Sequence, residues 1–166
     1  MKNIFKANGK YDIGALIISL LISEGLGFVA RKFTPNSSEI YKNLAKPFFS
    51  PPTLVFGVVW PILYALMAIA AYRIWLKGKE GKNVRKALVL YTIQLILNFL
   101  CTFIFFQYQL FGLAFIEILF LLIFIILTTI EFFKVDKISG ILMLPYTLWV
   151  AFAAVLNYFI WVFNEM

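Results

Sequence analysis

Five apolar runs of about twenty residues each, separated by short polar joints, leave this chain few folds to choose from. They cover roughly 13–33, 53–75, 85–106, 111–133 and 138–163. The fourth rises about 34 Å as an α-helix, enough to cross a hydrocarbon core of about 30 Å. The segments of alternating polarity that a membrane β-barrel needs are absent. Composition agrees: of 166 residues 63% are hydrophobic and 14% charged, too few charges to cover a soluble domain of this size. The expected fold is an all-α integral membrane protein, a five-transmembrane-helix bundle formed as one domain over 1–166. The first run is longer than the apolar core of a leader peptide and lacks a small-x-small cleavage site leading into a soluble domain, so it reads as a membrane span.

The net charge of +7 sorts by connecting segment and does not build a groove for nucleic acid. Lys2, Lys6 and Lys10 precede the first span. Arg73, Lys77, Lys79, Lys82, Arg85 and Lys86 join the second to the third, and Lys134 and Lys137 the fourth to the fifth. The other side carries only Arg31, Lys32, Lys42 and Lys46. The positive-inside bias then puts the N-terminus inside, with the C-terminus and the loop between spans 1 and 2 outside. These cations fit anionic headgroups, and the lipid bilayer is the first partner expected. A composition rich in Lys, Phe and Ile points to a prokaryotic cytoplasmic membrane. Cys101 is the only cysteine and histidine is absent, which removes an internal disulfide, the commonest metal ligand and the usual general base. Neither a metal nor a required cofactor is expected, and no acid–base or metal motif marks a catalytic residue.

Polar and small residues inside the spans mark the faces that must meet protein. Ala15, Ser19, Ser23 and Gly27 form a stripe along span 1 that suits close packing, either within the bundle or against a second copy. Glu24 lies near mid-span, where a carboxyl group has to face protein or a cavity. A hydrogen bond to a neighbouring helix is the plainer reading and a proton relay the other. In the loop before span 2, Pro47, Pro51 and Pro52 stiffen the backbone. Ser50 is expected to cap the helix with Pro51 at its first position, holding Tyr41, Phe48 and Phe49 over the bundle mouth.

Span 2 sets Gly57, Trp60, Tyr64, Ala68 and Ala71 within about 100° of arc, either a pocket wall or a packing face. Pro61 removes a backbone donor beside Trp60 and should kink the helix. Span 3 aligns Gln94, Asn98, Cys101 and Phe105, whose amides must bond across helices or to a ligand. Residues 107–110 make a tight turn into span 4, which reads as lipid-facing except at Glu117, Thr128 and Thr129. Span 5 carries Trp149, Ala153 and Asn157 at i, i+4, i+8, with Trp161 as an interfacial anchor.

Read in order, Tyr41-x-x-Leu, Lys46-Pro, Ser50-Pro-Pro, Phe56-Gly-x-x-Trp60-x-x-Leu-Tyr64, Gln94-Leu-x-Leu-Asn98, Phe105-Phe106 and Leu144-Pro-Tyr-x-x-Trp149-x-x-Phe-Ala153-x-x-Leu-Asn157 resemble the tryptophan-rich sensory protein family. That family (TspO/MBR) includes the translocator protein, or peripheral benzodiazepine receptor. The resemblance runs from about Tyr41 to Asn164. It implies a five-helix bundle, usually a homodimer, with a cavity under the loop between helices 1 and 2. It also implies binding of porphyrins such as protoporphyrin IX and haem, or of related hydrophobic ligands. Carried over position by position, the pocket includes Tyr41, Trp60, Tyr64, Asn98, Trp149 and Ala153, with Cys101 at a position that is aromatic in relatives. Gln94 and Asn157 join them from the helix faces described above.

The function implied is a membrane receptor or carrier. Light- and oxygen-dependent porphyrin breakdown is the enzymatic alternative, and a transporter using Glu24 and Glu117 is a third. Phe49, Cys101 and Phe103 replace tryptophans common in the family. The basic residue of the animal sterol motif is missing after Tyr158, and no histidine stands ready for haem iron.

Overall fold

The computed structural model describes residues 12–166. Lys2, Lys6 and Lys10, assigned to the flank of the first span, lie outside the described residues. Within them the chain forms α1 (Ile13–Phe33), α2 (Ser37–Asn43), α3 (Thr53–Lys79), α4 (Arg85–Thr102), α5 (Phe111–Val135) and α6 (Lys137–Asn164). Helix α4 continues into a π-helical turn, Phe103–Gln107. No strand occurs among the described residues. Five of these helices are long and apolar enough to cross a membrane, and the protein is an integral membrane helix bundle.

The ends of the helices follow from local chemistry. Asp12 caps α1 by accepting the Ala15 amide at 3.0 Å. That backbone contact is the main cause holding its carboxyl below the usual aspartate range, with Lys79 adding to it. Asp136 alone joins α5 to α6, and its carboxylate accepts the Ser139 amide and hydroxyl at 3.0 and 2.8 Å. Helix α3 runs beyond the expected 53–75 to Lys79. Lys77 and Lys79 in its last turn complement the negative end of the helix dipole, so the helix has no reason to stop at Trp75. Pro61 stands inside a helix that stays continuous.

The expected cap at Ser50 is not what forms. Helix α3 starts at Thr53 after Pro52, which is extended at φ −59°, ψ 151°, and no side chain caps it. The second proline explains this, because a residue preceding proline is driven out of helical geometry and Pro51 therefore cannot open the helix. Ser50 instead closes a turn, its amide donating to the Pro47 carbonyl at 3.1 Å. The short helix α2 was not expected either; one turn of apolar contact around Ile40 and Tyr41 is too little pattern to read.

The helices close a ring in the order α1, α3, α6, α5, α4, with α4 returning to α1 across the thinnest seam. Met67, Ile74, Ile125, Phe132, Met143 and Tyr146 fill its centre, fully buried. Ile17, Leu21, Phe120, Ile123 and Leu148 stand exposed on its outside, where hydrocarbon is the solvent. The small stripe of α1 faces the bundle. Ser19 donates to the Ala68 carbonyl at 2.7 Å, and Ser23 bonds Tyr91 of α4 at 2.8 Å. At Gly27 any Cβ would stand 2.5 Å from the Tyr64 ring. Glycine there allows α1 and α3 to approach.

Candidate functional site

The polar heart of the bundle is a hydrogen-bonded row across three helices. Tyr64 of α3 donates its hydroxyl to Asn98 Oδ1 of α4 at 2.6 Å. Asn98 Nδ2 donates to the Tyr146 hydroxyl of α6 at 3.0 Å, and that hydroxyl donates to Gln94 Oε1 at 2.9 Å. Gln94 and Tyr146 are wholly buried and Asn98 nearly so. The two amides thus hold helices together, the plainer of the two readings of span 3. In this row only Gln94 Nε2 lacks a partner among the described residues.

Above the row lies a wall of rings. Trp60 leans on Tyr64 at 5.6 Å and meets Tyr146 edge-on at 6.4 Å. Trp149 contacts Phe56 at 5.7 Å and Phe152 at 5.7 Å. Trp60, Cys101, Trp149 and Ala153 pack, half-buried, against the cluster containing Tyr64 and Tyr146. Tyr41 belongs to a neighbouring cluster with Phe49 and Phe56, and Phe56 joins the two by meeting the Tyr41 ring at 5.1 Å. Tyr64, Gln94 and Asn98 thus sit in the central row, and Trp60, Cys101, Trp149 and Ala153 pack beside it. Tyr41 is linked to them through Phe56, and Asn157 lies one turn beyond Ala153, whose carbonyl accepts its Nδ2 at 3.2 Å.

Two of these side chains keep a buried polar atom that finds no hydrogen-bond partner among the described residues: Trp149 Nε1 and Asn157 Oδ1. Ser50 Oγ in the loop above is in the same condition. Such atoms are costly in a dry interior and mark where a polar group of another molecule would be welcome. Glu117 of α5 lies beside Cys101, its two buried oxygens likewise without a hydrogen bond. Glu24 is partly buried on α1 and makes no hydrogen bond among the described residues, contrary to the bond expected from it.

The loop over the wall is fixed at several points. The Tyr41 hydroxyl donates to the Pro51 carbonyl at 3.0 Å. Burial pushes that phenol above its ordinary range, and the nearby Ser50 hydroxyl offsets part of the rise without completing a hydrogen bond. Lys46 Nζ donates to the Tyr41, Lys42 and Leu44 carbonyls at 2.6, 3.0 and 2.7 Å, closing the end of α2. Asn164 of α6 pairs with the Ala45 backbone in both directions, at 2.9 and 3.1 Å. Phe49 meets Phe152 and Phe159 edge-on. Phe48, expected over the mouth, is instead fully exposed. Phe48 and Phe49 are the two central residues of the turn that Ser50 closes onto Pro47, and only Phe49 turns inward onto α6. Trp161, expected as an interfacial anchor, stacks half-buried on Phe115 at 5.8 Å.

Tyr146, Phe56 and Phe49 complete the site without having been among its candidates. The first two had a sequence signal: Phe56 stands four residues before Trp60, and Tyr146 three before Trp149. Among the described residues no group of three or more acidic or sulfur side chains could hold a metal ion.

Comparison with known proteins agrees with this architecture. The chain is 37% identical over 145 residues to the tryptophan-rich protein TspO of Chlorobaculum tepidum, covering 87% of this chain and 90% of that one. It is 37% identical over 154 residues to the TspO of Archaeoglobus fulgidus, covering 92% and 99%. With the human translocator protein it shares 38% over 125 residues, 73% of this chain and 72% of the relative. The TspO/MBR family profile matches residues 18–162, a stretch that reaches into all five long helices and includes the whole ring wall, and the chain belongs to that family.

Proposed function

We propose that the protein is a membrane receptor or carrier that binds porphyrins, protoporphyrin IX or haem, between the loop 44–52 and the ring wall of α3 and α6. The observation that carries this reading is the pairing of flat aromatic faces with unmet polar atoms. The half-buried rings of Trp60 and Trp149 offer stacking surface, while Trp149 Nε1 and Asn157 Oδ1 are buried without partners among the described residues. A planar macrocycle with polar edges answers both demands. The hydroxyls of Tyr64 and Tyr146 and the amide of Asn98 are engaged within the protein. Their part is to hold the wall rigid.

The test is a titration of the purified protein with protoporphyrin IX, in the dark and then in light, following tryptophan fluorescence and porphyrin absorbance. Saturable quenching that weakens at least tenfold in Trp149→Ala, about 1.4 kcal/mol, is the expected result. Equal binding by the two proteins would refute the site. Bleaching that requires light and oxygen would move the function to porphyrin breakdown. The same reading includes a homodimer and an outward C-terminus. Native mass spectrometry checks the first. The second rests on labelling of Glu165→Cys by an impermeant reagent from outside only, with Cys101 half-buried among the helices.

A further inference from the structure

Away from the ring wall, a cavity of about 430 Å³ opens at the loop end of the seam between α1 and α4. That volume falls in the range of small-molecule sites. Its walls come from the turn between α1 and α2 and from the end of α4, and none of the nine site candidates lines it.

Two backbone irregularities shape it. In the π-helical turn the Tyr108 amide reaches back five residues to the Phe103 carbonyl at 3.0 Å. Gln109 then takes a positive φ of 52°, uncommon for a residue with a side chain. Wide turns of this kind recur at functional sites. Here they bring Phe106, Gln107 and Gln109 to the cavity, opposite Phe33, Asn36 and Ile40.

The chemistry of the lining is selective. None of the lining residues is charged, so an ionic headgroup would find no counterion. Three carboxamides line it, and those of Asn36, Gln107 and Gln109 make no hydrogen bond among the described residues. A purely apolar guest would displace the water on these exposed amides without replacing its hydrogen bonds. Each carboxamide both donates and accepts, as an alcohol does. Phe33, Ile40 and Phe106 supply apolar surface beside them. A sugar ring has this pairing, hydroxyls around its edge and C–H groups on its faces. We infer that the cavity is a second binding site, for an uncharged polyhydroxylated ring. The ring is either a free sugar or the headgroup of a glycolipid, since the cavity lies where the helices reach the membrane surface.

The test uses the whole protein in phosphatidylcholine nanodiscs, with and without a glucosyl diacylglycerol, read by native mass spectrometry, alongside calorimetric titration with maltose. Wild type retains the glycolipid or binds maltose, and Asn36→Ala/Gln107→Ala/Gln109→Ala does so at least tenfold more weakly. The substituted side chains are exposed and carry no internal bonds, so circular dichroism and thermal unfolding of the variant match wild type. Glycolipid retention without maltose binding supports the site with a lipid source, and binding of both supports a soluble source. Binding of neither, or equal binding by the variant, overturns the inference.

Discussion

Tyr146 shows how much a single hydroxyl can organise at the residue scale. It accepts from Asn98 and donates to Gln94, while Tyr64 completes the row with one bond. Removing Tyr146 Oη leaves a buried donor and a buried acceptor unmatched, whereas removing Tyr64 Oη leaves one acceptor. Tyr146→Phe should therefore cost about 1–2 kcal/mol and Tyr64→Phe about half as much. Reversible unfolding in mixed detergent micelles measures both. Equal losses would show that the row does not act as drawn. Gln94 and Asn98 were legible as polar residues needing partners, because amides at mid-span have few alternatives. Their partners were not legible, since tyrosine is at home in a membrane protein at many depths. Gly27 poses a related case: a Cβ there meets the Tyr64 ring. Gly27→Leu should push α1 from α3 and lower the unfolding temperature, while Gly25→Leu, where nothing lies within 4 Å of the added carbon, should not.

At the scale of an element, the loop 44–52 is held by its neighbours more than by its own prolines. Asn164 imitates a peptide group and ties Ala45 to the last turn of α6, and Glu165 beside it accepts the Phe111 and Gly112 amides at 2.7 and 2.8 Å, capping α5. One short stretch at the end of α6 thus fixes both the loop and the start of α5. Asn164→Ala removes the two exposed hydrogen bonds to Ala45 and the Nδ2 bond to the Ile160 carbonyl at 2.7 Å, a cost of about 1–2 kcal/mol. Amide exchange at residues 44–50 should speed up several-fold while exchange in α5 stays unchanged. Faster exchange in both would mean that the two contacts are not separable. The stiffness of the loop was readable from its prolines; that it is anchored more than a hundred residues away was not. The missing cap at Ser50 has a local cause, because a second proline forbids the helical geometry that a single one permits.

Across the whole molecule, the end opposite the loop carries the most deeply buried ion pair among the described residues. Arg73, buried in α3, reaches Asp136 in two bonds of 2.7 and 3.0 Å, and Asp136 is at once the α5–α6 joint and the α6 cap. Burial alone would raise the Asp136 carboxyl, but Arg73 and Ser139 outweigh it and hold it below its ordinary value. A carboxyl depressed on folding stabilises the fold above its unfolded pKa, near 3.9. That contribution is lost as pH falls through the lower folded value. Unfolding of wild type should therefore ease as pH drops below about 4. Asp136→Asn should start about 2 kcal/mol less stable at neutral pH and show a flatter acid limb. Matching acid limbs would assign the pH response elsewhere. The number of spans, their limits within a few residues and the inward turn of the span 3 amides were legible in the sequence alone. In hydrocarbon every backbone polar group must be satisfied within its own helix, so apolar length dictates the span and polar residues must turn inward. Only the tertiary structure decided which helices neighbour which, that the amides bind tyrosines, and that the chain builds an amide-lined cavity at its thinnest seam. Those outcomes depend on side chains meeting across helices far apart in sequence, and on a π-helical turn that no local pattern announces.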